Sequence, residues 1–105
     1  MAADITTGCT VQADNKLGGM GIAIVSTAAT ADDTDYFDMD TLLGVDVNVI
    51  FAIGVDDADG TALNTPFSWT QSTTTPDRVT IGSNIDNKRR DVLICYTGRS
   101  STGSD

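Results

Sequence analysis

Residues 45–55, VDVNVIFAIGV, constrain the fold of this chain more than any other stretch. Val45, Val47, Val49, Phe51, Ile53 and Val55 recur at the two-residue period of an extended chain, with Asp46 and Asn48 on the opposite side. The pattern predicts a β-strand. From Ile50 onward the second side reads Ile50, Ala52, Gly54, so the strand is expected to start with one wet face and end covered on both. No other segment brings as much apolar surface to a core, and the remaining strands are expected to be arranged about this one.

The residue types around it favour strands and turns. All fifteen acidic residues are Asp, a poor helix former that suits turns and strand ends, and Glu is absent. Sixteen Thr and ten Gly point the same way. At 105 residues the chain is sized for one domain with one core and no elaborate cleft, so a function is expected on a surface.

In order along the chain, residues 1–19 carry little apolar material beyond Ile5, Val11 and Leu17 and read as a polar N-terminal arm ending at Gly18-Gly19. Residues 20–27, MGIAIVST, form a short strand apolar on both sides. After a polar connection at 28–35, Phe37, Met39 and Thr41 alternate with Asp38 and Asp40, which reads as an edge strand; a short helix with Asp35 as N-cap and Gly44 as C-cap is the alternative. Asp59-Gly60 marks a hairpin turn. Phe67 and Trp69 then share one side of a return strand that begins at Pro66, with Trp69 read as capping the core. Residues 78–82 give a strand with Val79 and Ile81 inward, and residues 91–97, DVLICYT, a central strand apolar on both sides. The tail from 98 to 105 has no apolar residue and is expected to be disordered. The sum is an all-β, single-domain antiparallel β-sandwich or small barrel of about six to seven strands. Two strands apolar on both sides, in so short a chain, lie between two sheets or give one face to a subunit interface.

Composition also excludes functions. A net charge of −9 repels phosphate backbones, so nucleic acid is not an expected partner. There is no histidine, the commonest general base and transition-metal ligand, and no Ser, Thr or Cys nucleophile sits beside a base at a recognisable spacing, so the chain is not expected to be an enzyme. No apolar run is long enough for a membrane helix, and the N-terminus lacks a basic region followed by an apolar one. An EF-hand frame with Gly60 at its sixth position would put Val55 and Pro66 where acidic ligands belong, so no cofactor or metal is expected; a looser calcium site at Asp56, Asp57 and Asp59 is the alternative to a solvated turn. Cys9 and Cys95 read as two reduced thiols.

The opening DITTGCTVQADNKLGGM with the Ile/Ala/Val strand after it, and the closing RVTIGSNIDNKRRDVLICYTG, resemble the ends of small β-rich virion proteins of tailed bacteriophages, in particular capsid decoration or cement proteins. The resemblance implies a protein on the capsid exterior, made in the host cytoplasm, that binds the major capsid protein and stiffens the head. It also implies a homo-oligomer, commonly a trimer. Within that reading Ile5, Val11 and Leu17 are the expected anchors of an arm that orders against a partner, and Lys88, Arg89 and Arg90 are the concentrated positive charge expected to meet an acidic surface. A tail or head–tail joining component is the alternative among virion proteins. From a different class, the alternative is a calcium- or carbohydrate-binding β-module with Trp69 as sugar platform.

Overall fold

The computed structural model describes residues 3–55, 66–67, 74–81 and 86–98. Its elements are a 3-10 turn Thr6–Gly8, strands β1 (Thr10–Leu17), β2 (Met20–Ser26) and β3 (Tyr36–Asp38), a short helix α1 (Met39–Leu43), and strands β4 (Val47–Val55), β5 (Pro66–Phe67), β6 (Arg78–Thr80) and β7 (Asp91–Gly98). They form two antiparallel sheets, one of five strands in the order β1-β2-β7-β4-β5 and one of two, β3-β6. The chain is all-β, as its pattern of strands and turns predicts. Among the described residues no helix is long and apolar enough to cross a membrane.

The first of the two-sided apolar strands, β2, is interior to the large sheet, and the second, β7, is its central strand. The small sheet, α1 and the 3-10 turn cover one face of the large sheet and close a single core. Ala23 and Val25 of β2, Val92, Ile94 and Tyr96 of β7, and Val47, Val49 and Ala52 of β4 meet Phe37, Met39, Val79 and Ile81 there.

Three sequence expectations are corrected. The N-terminal segment is not a free arm: Thr10–Leu17 pairs along its length with β2 through the Gly18-Gly19 turn, where Gly18 holds the positive φ (66°) that glycine adopts without strain. Upstream, Asp35 accepts backbone N–H bonds from Ala3 (3.1 Å) and Asp32 (2.9 Å), and Ile5 and Tyr36 are joined backbone to backbone (2.9 Å). Secondly, residues 36–43 are strand and then helix. Asp38, the helix N-cap residue, is engaged by Arg78 (2.9 Å), so the cap comes from across the fold: the Asp77 carboxylate accepts the Asp40 N–H (3.0 Å). Gly44 closes the helix in the left-handed region (φ 75°), as its place after Leu42-Leu43 suggests.

Thirdly, β4 does not keep one face. A bulge between Val49 and Phe51 shifts its register against β7. Val47 and Val49 point to the core, but beyond the bulge Ala52 and Gly54 do, and Phe51 and Ile53 turn outward, 49% and 44% exposed. One extra residue reverses every side chain that follows it, and the small pair Ala52 and Gly54 then fits the core where Phe and Ile would crowd it. The hairpin at Asp59-Gly60, Trp69 and the tail from 99 onward lie outside the described residues.

Candidate interaction surface

Among the described residues, the outer face of the large sheet is apolar and uncovered. Alternation sends Ile22 and Ile24 of β2 and Leu93 and Cys95 of β7 outward, and the bulge adds Phe51 and Ile53 of β4. Register makes two rows across three strands: Ile22, Cys95 and Phe51 are direct neighbours, as are Ile24, Leu93 and Ile53. Ala13 and Asn15 of β1 extend the rows on one side. The five large side chains are 37–49% exposed. Among the described strand residues, the outward register positions carry one charge, Asp91 at the rim, which accepts the Ser26 hydroxyl (2.7 Å) and faces Arg89 at 3.5 Å.

The residues expected to form a contact site do not come together. Ile5 and Val11 are half-buried and pack against the core, and Leu17 is the last residue of β1. The basic triplet is divided. Arg89 is exposed, Lys88 is half-buried with its N–H bonded to Ala31 O (3.0 Å), and Arg90 is fully buried. Arg90 is structural: its Nη1 donates to Ala31 O (2.6 Å) and Lys88 O (2.9 Å), and its N–H to the Thr27 hydroxyl (2.9 Å). The signal was present in the sequence, because Arg90 is in phase with Val92, Ile94 and Tyr96, all of which face the core.

Most of the aspartates with resolved partners are engaged in holding the backbone. Besides Asp35 and Asp77, Asp40 accepts the Val47 N–H (2.8 Å), Asp32 that of Asn87 (2.9 Å), Asp86 that of Asp33 (3.0 Å) and Asp4 that of Thr6 (3.0 Å). The Thr6 hydroxyl, then its N–H, hold the Asp4 carboxyl below its ordinary value. Asp38 forms a two-point pair with Arg78, whose guanidinium also lies 3.9 Å over the Tyr36 ring. The pair raises the already high Arg78 pKa further.

Among the described residues no group of three His, Cys, Asp or Glu could hold a metal ion, and Asp56, Asp57 and Asp59 lie outside them. Both thiols are free. Burial, followed by the nearby Asp4 charge, pushes the Cys9 thiol up to about 11, away from the thiolate a nucleophile needs. A cleft of about 220 Å³ between the Gly18-Gly19 turn and the start of β4, lined by Lys16, Met20, Val47 and Tyr96, is smaller than the roughly 300–1,000 Å³ of ordinary ligand sites. Compared with protein-family models, with curated proteins and with solved structures, the chain matches none.

Proposed function

We propose that this chain is a structural protein of a virion, of the kind that binds the outside of a tailed-phage head and stabilises the shell. The observation that carries this reading is the outer face of the large sheet, an apolar and nearly uncharged surface on a chain of net charge −9. Such a face is made for contact, since contiguous exposed apolar area on a small protein marks an interaction site. The aspartates support the same reading, because carboxylates bonded to backbone N–H groups hold loops in place. Resemblance of both ends of the chain to phage head proteins supplies the kind of assembly. A small protein of this type works by burying its surface between neighbouring shell subunits, which raises the free energy needed to separate them.

Electron microscopy of virions from the phage that encodes the chain tests the proposal. The expected result is ordered density at many copies on the outer shell, lost when the gene is deleted and restored by adding the purified protein. Virions that lack the protein, or that carry it only in the tail or at the head–tail joint, overturn it.

A further inference from the structure

We infer that the outer face of β2, β7 and β4 is covered in solution by the same face of a second copy of this chain, the two sheets stacking about a two-fold axis. This rests on the reading of that face as a contact surface and names what occupies it in the free protein, before the shell takes the second copy's place. Charge and relief carry it, and area bounds its strength.

Four strands, β1, β2, β7 and β4, of seven to nine residues at about 4.8 Å spacing and about 3.3 Å per residue, span roughly 19 by 25 Å where they overlap. That is about 475 Å² in projection, below the roughly 800 Å² per partner of standard stable complexes, so the pairing belongs with the weaker, concentration-dependent associations.

Charge selects the partner. A face whose described strand positions carry only Asp91, itself bonded to Ser26 at the rim, is where two chains of net charge −9 can meet without setting carboxylates against each other. A strongly basic partner would find nothing to pair with on it.

Relief completes the fit. In the row Ile22, Cys95, Phe51 the central side chain is small; in the row Ile24, Leu93, Ile53 it is large. A two-fold axis lying in the interface and running across the strands between the rows places each row over the other row of the second copy. Leu93 of one chain then enters the dip at Cys95 of the other, and the reciprocal contact follows by symmetry. Stacked sheets of this kind pack about 10 Å apart with their strands about 30° from parallel alignment.

Analytical ultracentrifugation of the full chain is expected to give twice the 11.0 kDa of one copy. Leu93→Lys and Ile24→Lys replace side chains that are 38% and 39% exposed, so each chain keeps its fold by circular dichroism. Each variant is expected to weaken pairing by more than about a hundredfold, because the pair would bury two unpartnered ammonium groups. Alkylation of Cys95, scored by peptide mass separately from Cys9, is expected to slow as protein concentration rises and to stay fast in Leu93→Lys. A chain that remains monomeric at high concentration, a mass of three copies, lysine variants that still pair, or Cys95 alkylation independent of concentration each overturns the pairing. A monomer that still coats virions refutes the pairing and leaves the proposed function; a pair that is absent from virions does the reverse.

Discussion

Tyr96 shows how one small residue opposite a large one decides a local arrangement. Its ring lies across Gly21 on the neighbouring strand, where a Cβ would fall 2.6 Å from Cε2 and closer still to Cζ and the hydroxyl. Room over Gly21 lets the hydroxyl reach past β2 and donate to Asp14 on β1, so one side chain ties three strands together. Gly21→Ala is therefore expected to cost about 1–3 kcal/mol, read as a lower thermal midpoint, because the ring must leave both the core and Asp14. Gly19→Ala, with open space at its Cβ and no positive φ, is the control expected to change little. Burial first, then the bond to Asp14, raise the Tyr96 phenol from its ordinary 10.0 to about 12. Between those values the folded chain holds a proton that the unfolded chain has released, so stability is fully present below pH 10 and falls as pH rises toward 12. Ultraviolet titration should show a late tyrosine ionisation, and Tyr96→Phe should abolish that late step.

At the scale of elements, β1 completes the sheet. It covers the edge of β2 along seven register pairs, brings Val11 against the core and supplies Asp14 to Tyr96. Deleting residues 2–17 is expected to lower the thermal midpoint sharply and to cause association through the bared β2 edge, whose unpaired N–H and C=O groups template pairing with other chains. A truncated chain that melts like the full one and stays monodisperse would show that β1 is dispensable. The two loops flanking the core behave as one unit. Asp32 and Asp86 each accept an N–H from the opposite loop, Lys88 bonds Ala31, and the buried Arg90 guanidinium spans both loops.

The described residues form a lopsided sandwich in which a two-stranded sheet, a one-turn helix and a 3-10 turn cover one side of a five-stranded sheet and leave the other bare. Net charge and bare face oppose each other. At −9 per chain, two copies repel at long range, while the apolar contact itself does not depend on salt. Pairing is accordingly expected to tighten as sodium chloride is raised from low to physiological strength. Sedimentation across a salt series reads this directly, and an interface held by Arg89 or Lys88 on carboxylates would weaken instead.

Residue types and their two-residue period determined the all-β class, the interior positions of β2 and β7 and the inward side of β6, because each depends on neighbours within a few positions of the chain; residues 36–43 read as an edge strand, and the helix closed by Gly44 was only the alternative. The same local rule, carried one residue upstream of β7, puts Arg90 in the inward phase, but its charge led instead to the expectation of an exposed basic contact. Only the tertiary structure decided the rest. A bulge at Ile50 cannot be read from alternation, since it is set by the register β4 takes against β7, and it alone moves Phe51 and Ile53 from core to surface. Thr10–Leu17 is too polar to announce itself as a strand, and becomes one because β2 offers backbone partners to seven of its eight residues, Gln12 being passed over at a register shift. Which side of a two-sided apolar strand stays bare depends on how much chain remains to cover it, and here the small sheet suffices for one face of the large sheet.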